Sequence, residues 1–380
     1  MNRRYLLQSL AALPLASMGQ RLLAQTADQM PAPSLGDPAQ GCTEGWTIAV
    51  IPDTQNYAKF AKNQKHFERM TDWLIAHLDA WKIKLVMHEG DLVEQNNIAI
   101  GGGQGWGDQN STEQWKSAQQ ALRKLYGKVP TIFATGNHDY GIRNAESRES
   151  QFPEYFPITA NPLVSDGQGG GILIDCAANA FGVKTLENAA YEIAVPGGKK
   201  LLVISLEWGP RKAVVDWAMQ LCQQEKYRQH FGIFLTHDFM LPGDERDGQD
   251  GNRKRSGNPH TYGTGKPGDT HDGEDLWQQF VSRAPQIKIV LNGHEMGSHV
   301  GRRSDKNQSG QLVHQMLFNA QGFGGGSDEK GNGGDGWLRL LTFSADHTSL
   351  AVRTFSPLKL DAGLSPWWDH PQWNFTLPMK

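Results

Sequence analysis

The sequence predicts an α/β fold. Two observations carry this: short runs rich in Val, Ile and Leu alternate with stretches of helical apolar periodicity, and each run is closed by Gly, Pro, Asp, Asn or His. The first run is "WTIAVI" (46–51), followed by a helix over 64–81 with Phe67, Met70, Leu74, Ile75 and Leu78 on one face. "IKLVM" (83–87) leads through a Gly-rich loop to a helix over 112–126, where Ser111 and Gln114 have capping-box spacing. "VPTIFAT" (129–135) is the third run, and loops dominate 140–185. "AAYEIAV" (189–195) and "KLLVISLEW" (200–208) flank "PGGK" and predict a hairpin. A helix over 214–227, "FGIFLT" (231–236), a helix over 276–281 and "IKIVLN" (287–292) follow, and the end of the chain is β-like. Residues 241–273 form a polar, Gly-rich insertion far longer than an ordinary connection.

At 380 residues the chain can bury a large core. A formal net charge of -3 excludes a global basic field for nucleic acid or anionic membrane. Cys42, Cys176 and Cys222 show no C-x-x-C spacing, and an odd count argues against a disulfide framework. The opening "MNRRYLLQSLAALPLASMGQ" is too short and too interrupted to be a permanent membrane span. Its Arg3-Arg4 pair followed by Leu6 and Leu7 resembles a twin-arginine export signal. Residues 1–27 are therefore read as an export signal, with the twin-arginine machinery as partner and a periplasmic or secreted location. Residues 28–45 read as a flexible linker.

The closing residues of the runs carry the chemistry. "WTIAVIP" ends in Asp53-Thr54-Gln55, "IKLVMHE" in Gly90-Asp91-Leu92-Val93-Glu94, and "VPTIFAT" in Gly136-Asn137-His138-Asp139. "FGIFLT" ends in His237-Asp238 and "IKIVLN" in Gly293-His294-Glu295. One Asp after a strand is ordinarily a turn former. Repeated delivery of Asp, Asn and His to the carboxyl ends of strands, where loops converge in open α/β sheets, points instead to a divalent-metal site. Oxygen and imidazole donors without Cys suit Mn, Fe or Zn. Gly90, Gly136 and Gly293 allow close backbone approach or a positive φ.

In order and spacing, "DTQ", "GDLVE", "GNHD", "THD" and "GHEM" resemble the calcineurin-like metallophosphoesterases, whose pattern is D-x-H, G-D-x-x-[D], G-N-H-[D/E], a separate His and G-H-x-H. "DTQNY" with "GWLRLLTF" is similar to a bacterial exported branch in which Gln replaces the first His. The resemblance implies one domain over 46–355 that carries the 241–273 insertion, with 356–380 packed on it as a C-terminal extension. It implies a four-layer αββα sandwich of two mixed β-sheets. It also implies two divalent ions (Mn, Fe or Zn) and hydrolysis of a phosphomonoester or phosphodiester by a metal-bound hydroxide. Asp91 would bridge the ions, Asn137, His237 and His294 would complete the second, and His138 would protonate the leaving oxygen. Glu94 or Asp139 would orient His138 by a hydrogen bond.

Both departures from the pattern strike the first metal: Gln55 stands for the first His and Met296 for the last. Asp53, Asp91 and the Gln55 amide oxygen remain, a harder and weaker set than one with imidazole. His299 could restore a histidine if "GHEMGSH" is G-H-x-H with a loop insertion, leaving Met296 to packing. His314 reads as structural. Gln95 stands where Ser/Thr protein phosphatases carry a phosphate-gripping Arg, so Arg143, or Arg302 with Arg303, could bind the substrate phosphate. The "RKR" of 253–255, with His260 and His271, could meet a phosphorylated small-molecule or ester substrate or cover it as a lid. Two rival readings remain: a scaffold that binds without turnover, which has no need of His138, and a nuclease, against which the acidic balance counts.

Overall fold

The computed structural model describes residues 30–101 and 106–379; the export signal read over 1–27 lies outside the described residues. Along the chain run β1 (Trp46–Ile51), helix α1 (Ala61–Ala76), β2 (Ile83–His88), helix α2 (Ser111–Arg123) and β3 (Thr131–Phe133). Next come β4 (Leu173–Ala178), β5 (Lys184–Val195), β6 (Lys199–Ser205), helix α3 (Lys212–Cys222) and β7 (Phe231–Leu235). Helix α4 (Gly273–Gln279), β8 (Ile287–Asn292), β9 (Val300–Lys306), β10 (Leu312–Phe318), β11 (Leu338–Phe343), β12 (Ser349–Phe355) and β13 (Phe375–Pro378) complete it. A six-stranded sheet has the order β13-β12-β11-β1-β2-β3, and a seven-stranded sheet the order β4-β5-β6-β7-β8-β10-β9.

The period-two pattern of the strands decides the layering. In the second sheet Leu201, Val203, Ile233, Leu235, Ile289 and Leu291 face inward and join one core with the first sheet, α1 and α2. Their neighbours Leu202, Ile204, Phe234 and Val290 face outward and pack on α3 and α4. The result is helix, sheet, sheet, helix, with β1, antiparallel to β11 and parallel to β2, buried along its whole length as a strand covered on both faces should be. Each sheet has a parallel part: β1, β2 and β3 form one side of the first, and β6, β7, β8 and β10 the middle of the second. Their carboxyl ends therefore share one edge of the sandwich.

The predicted hairpin forms, as β5 and β6 pair antiparallel. The capping box lies one residue earlier than expected: Asn110 accepts from the Glu113 amide at 3.0 Å, and Glu113 accepts from the Asn110 amide at 2.8 Å. Ser111 is already inside the helix, so its hydroxyl donates to the Gln95 carbonyl instead (2.7 Å). Gln114 accepts from the Glu94 amide (2.9 Å), so this helix start anchors the "GDLVE" loop. Residues 30–45, expected as a flexible linker, are tied to the domain. Trp81 Nε1 donates to the Pro38 carbonyl and Trp367 Nε1 to the Gly36 carbonyl, both at 2.8 Å. Beyond residue 356 the chain adds β13 as the edge strand of the first sheet. The three cysteines are free thiols. No helix among the described residues is long and apolar enough to cross a membrane.

Candidate metal centre

At the shared edge the backbone makes the site before the side chains do. Gly90 and Asp91 both take positive φ (100° and 51°), a turn that swings the Asp91 carboxylate back over the sheet. Such a φ strains a non-glycine residue, and Asp91 is held there by the Thr54 amide on its carbonyl (3.0 Å) and the His138 amide on its Oδ1 (2.9 Å). Gly136 and Gly293 are needed for close approach. A Cβ on Gly136 would lie 2.1 Å from Asp91 Oδ1, and one on Gly293 2.1 Å from Asp53 Oδ1.

Around this turn the structure gathers the donors. Nitrogen and oxygen atoms of Asp91, His237 and His294 lie within 4.8 Å of one another. His237 donates from Nδ1 to the Glu89 carbonyl (2.7 Å), so in the neutral ring Nε2 is the lone-pair nitrogen, and a cation bound there would displace a proton. That Nε2 is buried 3.2 Å from Asp91 Oδ2 and 4.0 Å from Asp53 Oδ2 without completing a hydrogen bond. His294 donates from Nε2 to the Gly257 carbonyl (2.9 Å), which leaves Nδ1 as its lone-pair nitrogen. Asn137 gives its amide nitrogen to Asn144 Oδ1 (2.5 Å), and its Oδ1 is buried with no partner. Gln55 gives Nε2 to Asp91 Oδ2 (3.0 Å), and its Oε1 is likewise buried and unpartnered. Buried acceptors left this way cost about 1–3 kcal/mol each. Left this way on the loops that meet at Asp53 and Asp91, and with His237 Nε2 next to both carboxylates, they have the chemistry of a divalent-cation shell, and the residues present fit such an ion.

The electrostatics agree. Burial, against the pull of His237 and with the repulsion of Asp91, pushes the Asp53 carboxyl up to about 8. Burial opposes protonation of His237, but Asp91 and Asp53 outweigh it and lift the imidazole to about 9. Burial also pushes His294 down to about 3, with His237 adding to it, so that ring is neutral. For His138 burial is outweighed by Asp91 and Glu94, and its pKa is raised. Burial would raise the Asp91 carboxyl, but His237 and His138 hold it well below the usual carboxylate range, so it is Asp53 that is short of positive charge, which a cation would supply.

Several expected residues sit elsewhere. The group that orients His138 is the Glu94 backbone carbonyl, which accepts from Nδ1 at 2.8 Å. The Glu94 carboxylate is instead paired with buried Lys59 at 3.2 Å. The Asp139 carboxylate accepts the amides of Gly136 (2.8 Å), Leu92 (2.9 Å) and Val93 (3.3 Å), clamping two site loops together. His299 belongs to no donor group within 4.8 Å among the described residues. It donates from Nδ1 to the Asn319 carbonyl (2.9 Å) and packs on Phe323 (4.2 Å). Met296, expected to pack, is 52% exposed. His314 is structural, bonded to the Pro378 carbonyl and Ser304 at 2.7 Å each.

Arg143 lies on the Trp106 ring (4.9 Å), next to the Asn144 that holds Asn137. Arg302 lies on Phe375 (4.3 Å), and Arg303 pairs with Asp305 (2.6 Å). In the insertion, Arg253 pairs with Asp275 (2.5 Å) and Arg255 with Asp247 and Glu295 (2.8 Å each). These cations hold the insertion onto the domain, and its Gly257 carbonyl sets the tautomer of His294.

Sequence reasoning missed Asn319, whose Nδ2 donates to Asp53 Oδ2 at 2.8 Å. The signal was present, since "QLVHQMLFNA" also ends a strand in Asn. It also missed Trp208, fully buried with its ring 4.8 Å from His294 and 5.7 Å from His237.

The calcineurin-like phosphoesterase family profile matches residues 47–298, which span all five of the motif-bearing strand ends. This chain belongs to the calcineurin-like phosphoesterases. It is 25% identical over 324 residues to the uncharacterized protein YvnB of Bacillus subtilis (strain 168), covering 83% of this chain and 20% of that one. The chain thus spans about a fifth of the length of that curated relative. Among solved structures it is similar to GAP50, the anchor in the inner membrane complex of Plasmodium. There the TM-score is 0.46 and the identity 11%, over 89% of this chain and 90% of that one. As a calcineurin-like phosphoesterase it has the family's two mixed sheets and a set of side chains able to hold metal.

Proposed function

We propose that this protein is a metal-dependent hydrolase of a phosphomonoester or phosphodiester, working at a centre for two divalent ions. The observation that carries this is the set of lone-pair atoms left buried and unpartnered around Asp53 and Asp91: Gln55 Oε1, Asn137 Oδ1 and His237 Nε2. Asp91, Asn137, His237 and His294 would hold one ion, and Asp53, Asp91 and Gln55 the other. The second set is all oxygen, so Mn suits it better than Zn, while Fe or Zn suits the imidazole-rich half. Bound ions supply charge neutralisation for the phosphoryl group and lower the pKa of water.

The chain's own residues do the rest. The Glu94 carbonyl accepts from His138 Nδ1 and fixes the ring, so the second proton of the imidazolium form sits on Nε2 and is the one that would go to the leaving oxygen. Asp91 and Glu94, against burial, raise the pKa of His138 and so favour the protonated ring. Asn319 and the His294 amide aim Asp53, and Trp208 keeps water from the back of both imidazoles. Arg143, beside Asn144, is the substrate-side cation of this proposal. Twin-arginine export and a periplasmic or secreted location belong to the same proposal and rest on the amino-terminal sequence.

The test is metal analysis of the purified protein paired with turnover of p-nitrophenyl phosphate and bis(p-nitrophenyl) phosphate in added Mn. The expected result is bound metal with hydrolysis of one ester or both. Less than one tightly held ion together with no turnover overturns the reading in favour of a binding scaffold.

A further inference from the structure

A cavity of about 320 Å³ opens at the opposite end of the sandwich, where β6, β7 and β8 begin. β7 is five residues long, so at about 3.3 Å per residue this end lies about 17 Å from the metal centre. Lys199, Arg228 and Lys288 line the cavity, and no lining residue is a carboxylate. Lys288 reaches only the neutral Gln311 amide oxygen, and Lys199 has no ion pair among the described residues. Arg228 meets Glu225 in a surface pair at 3.1 Å with both side chains more than 60% exposed, which neutralises little. Like charges around one concavity repel, and an anion relieves them.

The walls between the cations mix apolar side chains, Leu201, Phe231 and Pro285 among them, with Gln and His. Phe231 is half-buried and meets Phe343 edge-on (5.6 Å), and Phe343 stacks on Trp46 (4.3 Å). Trp46 Nε1, a donor, and Gln286 Oε1, an acceptor, are buried without partners in two of the lining residues. The volume is at the lower end of small-molecule pockets, about 300–1,000 Å³.

We propose that this cavity binds a small organic anion: a flat apolar body of one or two rings carrying one carboxylate, sulfonate or phosphate head. The head sits among Lys199, Arg228 and Lys288, and the body lies on Phe231. The site is separate from the metal centre and does not depend on the hydrolase reading.

The probe is 2-naphthalenesulfonate, which no phosphoesterase can cleave, titrated calorimetrically into the full protein. Saturable one-to-one binding is expected, with inorganic sulfate and neutral 2-naphthalenemethanol each binding more weakly. A Lys199→Glu/Lys288→Glu protein with unchanged melting temperature should bind about tenfold more weakly or worse, while His138→Ala keeps the parental affinity. In the unaltered protein the imidazole resonances of His230 and His347, both at the cavity, should shift on titration. Absence of saturable binding, or of those shifts, overturns the proposal. So does binding that survives the double substitution and is competed by orthovanadate, since that places the probe at the metal centre.

Discussion

Replacing Gly136 by Ala tests the site at its tightest point. Gly136 has φ -98° and ψ -179°, an extended conformation that alanine adopts freely, so the backbone itself gives no strain. The added Cβ would stand 2.1 Å from Asp91 Oδ1, 2.5 Å from Asp91 N and 2.6 Å from His237 Nε2. Ordinary contact begins at 3.4 Å, so Asp91 Oδ1 must retreat by 1.3 Å, the difference of the two distances. Neither neighbour can swing away, because Asp91 is pinned by the amides of Thr54 and His138 and His237 by the Glu89 carbonyl. A misplacement of about 1 Å at a reacting centre costs about 100-fold in rate, or about 2.7 kcal/mol. Overpacking should take only about 1–3 kcal/mol from folding. The assay is metal content by mass spectrometry, turnover of a chromogenic ester and thermal unfolding, with Gly36→Ala, which meets nothing within 4 Å, as control. Full metal content with parental turnover in Gly136→Ala would refute the close packing of Gly136, Asp91 and His237 on which the centre is built.

Four further outcomes follow from the same geometry. His138→Ala should lower kcat by about 10²–10⁴ with metal content unchanged; a parallel loss of metal would make His138 a ligand instead. Gln55→His should tighten the first ion about tenfold or more in a Mn titration, and unchanged affinity would show that residue 55 is not a ligand. Lys59→Met should destabilise by about 3–5 kcal/mol in urea unfolding, because it leaves the Glu94 carboxylate buried without its cation. Lys59→Met/Glu94→Leu should recover most of that loss, and a double variant no better than the single would refute the pairing. Asp305 concerns pH: burial alone would raise its carboxyl, but hydrogen bonds from Arg303 and Gln315 and the nearby guanidinium charges hold it below the ordinary value. A depressed carboxyl stabilises the fold above the unfolded value of about 3.9 and stops doing so as pH falls through the lower folded value. Unfolding curves of Asp305→Asn should therefore lose part of the acid-side slope, and an identical slope would refute the assignment.

The site was legible to the degree that its residues follow strands. Asp53, Asp91, Asn137, His237 and His294 each close a run, and a strand end in a parallel sheet has a known direction. Asn319 obeys the same rule and could have been found by it. Less legible were the residues whose role depends on which atom is used. Glu94 has a carboxylate that invites a catalytic role, yet its carbonyl touches His138 while the carboxylate meets Lys59. His299 has the right chemistry two residues past Gly297, but a hydrogen bond to the Asn319 carbonyl and the Phe323 ring hold it outside the donor group. The 253–255 cations looked available for substrate because their partners, Asp247, Asp272, Asp275 and Glu295, are not recognisable as partners until the insertion folds back.

By itself, the sequence determined the α/β class and pointed to the candidate donors at the strand ends, because periodicity and strand-end chemistry are local properties. Only the tertiary structure decided that Gln55 faces Asp91 with its oxygen unpartnered, that His299 donates to the Asn319 carbonyl and packs on Phe323, and that a basic cavity lies at the far end. Those depend on contacts between segments up to hundreds of residues apart, where packing selects one rotamer and one hydrogen-bond partner from several the chain would allow.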